Sequence, residues 1–146
     1  MNIRSLKQTS YAKLCKDRPQ VLTKDRGYGI VSIIINDLIY AIPLRSNMNH
    51  NNGFKTIPIR KNGNIFWNGL DYSKALVVKE EDIEATAFRL KDRAEFNKIQ
   101  SNKDKIQSEF EKYVSDYILC FKQGKSNTDN RFKFTTLQYF HNELSI

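Results

Sequence analysis

The run Tyr28-Gly29-Ile30-Val31-Ser32-Ile33-Ile34-Ile35 restricts the fold of this chain more than any other segment. Its β-branched residues lose side-chain freedom in a helix and fit a pleated sheet. The apolar stretch from Ile30 to Leu44 is broken by Ser32, Asn36, Asp37 and Pro43, so it is not a membrane span. Asn36 and Asp37 tolerate the left-handed conformation that a two-residue hairpin turn needs, and the chain is expected to return along Leu38 to Leu44. Such a hairpin sets Gly29 near Leu44 and makes Arg26 a neighbour of Arg45.

Around this hairpin the sequence alternates short strands and turns. Met1 to Leu6, Lys55 to Arg60, Ile65 to Trp67 and Asp71 to Val78 read as strands, with a turn at Lys61-Asn62-Gly63-Asn64. Ser10 to Asp17 reads as a short helix, and Thr23 to Gly27 as a polar connector. Arg45 to Gly53 has no regular period and is expected to be a loop. Glu80-Glu81-Asp82 suits a helix N-terminus. Phe110, Tyr113, Val114, Tyr117, Ile118 and Phe121 then recur at helical spacing before Gly124, a natural cap. That aromatic stripe reads as core packing rather than a base-stacking platform. A last amphipathic helix is expected from about Thr135 to Leu144. The fold class is α+β: a strongly twisted antiparallel, partly open barrel with packed α-helices. It forms one domain over residues 1–146, with strands mainly in 1–78 and helices mainly in 80–146.

The charge is lopsided. Lys and Arg number 24 against 16 Asp and Glu, a net of +8. Residues 1–73 hold 11 basic and 4 acidic residues, whereas residues 74–146 hold 13 and 12. An excess confined to one half marks a surface for a polyanion, nucleic acid above all, although a generic solubility charge gives the same total. Lys98, Lys103 and Lys112 are expected on a long helix away from that surface. Cys15 and Cys120 are too few and too far apart for a disulfide framework or a zinc site, and read as buried thiols. His50 and His141 have no carboxylate or cysteine at ligand spacing, so neither a metal nor another cofactor is expected. Met1-Asn2-Ile3-Arg4 lacks the apolar core of a signal peptide, and the expected location is the cytoplasm, without a membrane partner.

Arg45-Ser46-Asn47-Met48-Asn49-His50 follows a strand end fixed by Pro43. It offers a permanent cation, a hydroxyl, amides and an imidazole that titrates near neutrality. RNA cleavage by its own 2′-hydroxyl needs those groups: proton transfer at two oxygens and positive charge around the phosphorane. The same composition also describes a solvated loop with an incidental histidine. Arg26 and Lys74 are further cations that can converge there, though Lys74 alone also reads as a surface lysine.

Three runs, Arg26-Gly27-Tyr28-Gly29-Ile30-Val31, Tyr40-Ala41-Ile42-Pro43-Leu44-Arg45-Ser46 and Leu70-Asp71-Tyr72-Ser73-Lys74-Ala75, resemble the toxins of type III toxin–antitoxin systems. The relatives are the ToxN, AbiQ, TenpN and CptN families, and the likeness is greatest to the TenpN/CptN branch. The resemblance implies a MazF/Kid-like, SH3-like barrel and a bacterial, metal-independent endoribonuclease that leaves a 2′,3′-cyclic phosphate. It also implies two RNA partners: target cellular RNA, and a repeat-derived pseudoknot antitoxin RNA that the toxin processes. That RNA inhibits the toxin and bridges protein subunits in a cyclic assembly. Such systems act in abortive phage infection. By this resemblance Arg26, Ser46 and Lys74 match active-site positions of ToxN. Arg45 stands where ToxN has threonine, and Met48 where it has a functional lysine. Arg45 is then the replacement cation and His50 the proton-transfer group. Lys24, Tyr28, Asn47, Asn49, Lys55, Arg60 and Lys61 are the expected RNA contacts. A non-catalytic RNA-binding barrel explains the charge equally well, and a module for an acidic protein partner is the third reading.

Overall fold

The computed structural model describes residues 1–23 and 28–146. The hairpin is formed by β2 (Tyr28–Ile35) and β3 (Leu38–Met48). Ile30 faces Pro43 and Ile35 faces Leu38, the expected register. Asn36 and Asp37 have φ of 50° and 67°, which closes the turn with the twist that a hairpin favours. The other strands are β1 (Ile3–Leu6), β4 (Gly53–Lys61), β5 (Asn64–Asp71), β6 (Leu76–Val78) and β7 (Ile83–Ala87). All pairs are antiparallel, in the order β4-β5-β3-β2-β1-β7, with β6 also on β3. The seven-stranded sheet is not closed: among the described residues β4, β6 and β7 each pair on one side alone. The molecule is thus α+β, a twisted and partly open antiparallel barrel with helices.

Those helices are α1 (Gln8–Cys15), α2 (Arg93–Ser101) and α3 (Lys103–Lys122). The expected face of α3 is buried: Phe110, Tyr113, Val114 and Tyr117 pack with Val31, Ile33, Tyr40 and Ile42 of the sheet. Tyr28 and Ile30, with the opposite parity on β2, join Leu6, Val21, Leu76, Ile83 and Phe140 on the other side. Both faces of β2 are covered from Tyr28 to Val31, which explains the apolar run there, whereas Ile34 near its end is exposed. Cys120 is buried as expected, whereas Cys15 at the end of α1 is only half-buried. No helix among the described residues is long and apolar enough to cross a membrane.

Four expectations change. The segment Arg45–Met48 is strand, not loop, because Met48 is fully buried opposite Trp67 and holds β3 in the sheet. A bulge absorbs the polar insertion, with Asn47 at φ 57°. Asp71–Val78 is broken: β5 ends at Asp71, one 3₁₀ turn covers Tyr72–Lys74, and β6 follows. Glu80–Asp82 is a single 3₁₀ turn leading into β7 rather than a helix. Finally, Thr135–Leu144 contains only the 3₁₀ turn Thr136–Tyr139, docked through Thr136 Oγ1 to the carbonyl oxygens of Ser73 and Ala75.

Candidate active site

The break after β5 makes the site. Asp71 is completely buried, and its Oδ1 accepts from Ser73 N–H at 3.0 Å and Ser73 Oγ at 2.6 Å. The first of these bonds caps the Tyr72–Lys74 turn, as an aspartate before a helical turn does. Its Oδ2 accepts from Arg45 Nη1 at 2.6 Å and meets His50 Nε2 at 3.1 Å. Burial raises the pKa of this carboxyl. The hydrogen bonds from His50 and Ser73, the charge on His50 and the Arg45 bond outweigh that and hold it below the usual carboxylate value.

His50 is oriented from both sides. The Asn52 backbone N–H donates to Nδ1 at 3.0 Å, so a neutral ring carries its proton on Nε2, toward Asp71. This leaves the Nδ1 lone pair as the proton-accepting position. Among the described residues it is held by one amide, two residues along the same turn.

Lys74 leaves the same 3₁₀ turn, and its ammonium donates to Gln20 Oε1 at 3.1 Å and to the Phe134 carbonyl at 2.9 Å. Burial lowers its pKa, the nearby Asp71 charge works against that, and Arg45 adds to it. Arg45, His50, Ser73 and Lys74 line one cleft of about 290 Å³, together with Arg131. Arg131 is steered by Asp116, at 2.7 Å, and lies over the rings of Tyr113 and Phe132. The cleft therefore gathers three cations and an imidazole, with the buried carboxylate behind them.

Of the expected site residues, Arg45, His50 and Lys74 come together. Ser46 is exposed on β3 and borders a separate depression beside the cleft. Arg26 and Lys24, and with them the Arg26–Arg45 proximity, lie outside the described residues. Tyr28, expected as an RNA contact, is a core residue instead: it is 3% exposed and its ring sits 5.0 Å from that of Tyr11. Met48 is likewise no vacated cation site, since it fills space between Gly53 and Gly69. Asn47, Asn49, Arg60 and Lys61 are exposed, with Lys61 donating to Asn47 Oδ1 at 3.2 Å. Lys55 is half-buried and lies 5.8 Å from the Trp67 ring centre, with Lys98 at 5.9 Å. Lys98 thus belongs to α2 and stands next to Lys55, not on the distant long helix. His141 is packed on Phe121 and bonded to the Tyr117 hydroxyl at 2.6 Å, far from this chemistry in role. Asp71, Ser73 and Arg131 are the residues that sequence reasoning missed. Among the described residues no three His, Cys, Asp or Glu side chains are grouped to hold a metal ion.

No protein-family model and no curated protein matches the chain. Among solved structures it is similar to the protein of one described as "A processed non-coding RNA regulates a bacterial antiviral system". The TM-score is 0.60 at 18% identity, over 97% of this chain and 98% of the other. The two share a fold.

Proposed function

We propose that this protein is an endoribonuclease toxin of a type III toxin–antitoxin system, cleaving RNA by attack of its 2′-hydroxyl without a metal ion. The carrying observation is the cleft in which Arg45, Lys74 and Arg131 surround His50, itself held by a buried carboxylate. Its support from likeness is the fold shared with a protein whose structure concerns a processed non-coding RNA in a bacterial antiviral system. The non-coding RNA partner, inhibition by a pseudoknot antitoxin and the cyclic protein–RNA assembly belong to the same proposal, as does action in the bacterial cytoplasm.

In the proposed mechanism a phosphate sits among Arg45, Arg131 and Lys74. His50 Nδ1 exchanges the Asn52 N–H for the 2′-hydroxyl and takes its proton. The 2′-oxygen bonds to phosphorus, the bond from phosphorus to the 5′-oxygen breaks, and Lys74 gives a proton to that leaving oxygen. The product is a 2′,3′-cyclic phosphate and a free 5′-hydroxyl. Lys74 suits the acid role because burial weakens its hold on the proton. The arginines stabilise charge that grows on the phosphorane.

The test is cleavage of purified RNA in EDTA, with the 3′ end of the product identified by mass. His50→Ala should stay folded and lose on the order of a hundredfold or more in rate. Cleavage that needs added magnesium, or a parent-like His50→Ala rate, refutes the mechanism. Salt-sensitive RNA binding without cleavage identifies the non-catalytic barrel.

A further inference from the structure

Arg45 also borders a second depression, of about 580 Å³. Two buried acceptors in its wall are poorly satisfied. Asn68 Oδ1 is buried and meets no hydrogen-bond donor among the described residues. Glu95 is only 6% exposed, and among the described residues its carboxylate is met by one group, the Thr56 hydroxyl. That hydroxyl also donates to the main-chain carbonyl of Asn68 at 2.8 Å, and its single proton cannot serve both oxygens. No described cation lies within ion-pair distance of Glu95. A buried carboxylate with one shared donor and a buried amide oxygen with none are costly, and native structures seldom keep them without a use. Glu95 and Asn68 both line this depression.

The remaining lining describes what supplies the missing donors. Phe88 lies beside Gly29, where an added Cβ would stand 3.0 Å from its ring, so glycine is what lets the ring settle there. Phe88 also anchors its backbone N–H on the Ile3 carbonyl at 2.8 Å. Arg89 and Lys91 are exposed at the rim. An aromatic ring, a buried carboxylate with two acceptor oxygens and rim cations match a nucleobase with neighbouring N–H donors on its pairing edge, joined to a phosphate. Among the RNA bases, guanine presents such a pair, its N1–H and N2 amino group. Adenine, cytosine and uracil do not.

We propose that this depression is a guanine-recognition pocket: Glu95 and Asn68 take the base edge, Phe88 its face, and Arg89 and Lys91 its phosphate. The occupant is a guanosine unit of an RNA strand whose neighbouring phosphate lies at Arg45, shared with the cleft. This rests on the RNA-cleaving reading for its source, while the base chemistry stands by itself. The pocket would then set where the strand enters the site, and so the sequence that is cut.

The test separates these. NMR titration of the full chain with GMP, IMP, AMP, CMP and UMP should give GMP the tightest binding, with shifts at Glu95, Asn68 and Phe88. IMP, which lacks the amino group, should bind more weakly by about tenfold. Glu95→Gln keeps the size of the side chain and should erase the difference between GMP and AMP. A short guanosine-containing oligoribonucleotide should compete with GMP for the same shifts. Binding that is equal for all nucleotides, or absent at millimolar concentration, overturns the pocket. GMP binding that no oligoribonucleotide displaces overturns the RNA source and leaves a free-nucleotide site. Guanine-selective binding by a protein that cuts no RNA refutes the proposed nuclease and upholds the pocket. Cleavage with no guanosine preference at any position does the reverse.

Discussion

A carboxylate at a strand end is ordinarily read as solvated, and Asp71 carries no sign in the sequence of being otherwise. Its importance comes from burial and from four hydrogen bonds divided between its two oxygens. His50 was legible because an imidazole in a polar segment is chemically conspicuous; the residue that orients it was not. Because the folded pKa of Asp71 lies below its ordinary 3.8, its contribution to stability is present above that pH. It is lost as pH falls through the folded value. Thermal unfolding measured between about pH 6 and pH 2 should therefore fall more steeply for the parent than for Asp71→Asn. Identical slopes would mean the carboxylate is not held ionised. The same variant should also lose cleavage at neutral pH. An amide facing Nε2 can donate to it and move the ring proton to Nδ1, against the Asn52 N–H.

At the scale of elements, β2 and β3 were readable because residue type, turn chemistry and alternation all agree. The hidden element was β7: Ile83-Glu84-Ala85-Thr86-Ala87 has one buried residue and pairs at an edge with β1. An edge strand needs no alternating apolar pattern, so nothing local announces it. The extension of β3 through Met48 was hidden for a different reason. Three polar residues precede Met48, and the bulge that lets them protrude is a tertiary accommodation. Met48 then drops between Gly53 and Gly69. An added Cβ at either glycine would collide with a backbone carbonyl oxygen, of Leu70 at 2.3 Å or of Phe54 at 2.1 Å. Position 48 is therefore a core position of this chain. Met48→Lys should lower unfolding free energy by about 3 kcal/mol, since a buried ammonium there has no partner. Met48→Leu should cost less than about 1.5 kcal/mol. Denaturant unfolding decides, and a lysine variant as stable as the parent would show that the position opens to solvent.

Across the whole molecule, the charge asymmetry of the sequence does not map onto one face built from one half. The cleft takes Arg45 and Lys74 from neighbouring strand and turn, and Arg131 from beyond α3. Lys98 of α2 meets Lys55 of β4 across Trp67, at 5.9 and 5.8 Å from its ring centre. Lys98 also donates to the Thr56 carbonyl at 3.0 Å, which fixes the end of that side chain. Antiparallel topology brings the second half of the chain back onto the first, so the basic surface is assembled from both. By contrast Lys112 is spent on Asp116 within α3, at 2.7 Å, and that same carboxylate steers Arg131. For RNA binding the consequence is specific. Reversal of charge at Lys98 should weaken binding about as much as reversal at Lys55, whereas reversal at Lys103 should do little. Each phosphate contact removed should also flatten the dependence of log affinity on log salt by about 0.7 for a single strand. Fluorescence anisotropy at several salt concentrations measures both quantities. Equal losses at Lys98 and Lys103, with unchanged slopes, would show that the paired lysines around Trp67 touch no phosphate and serve only to pack the ring.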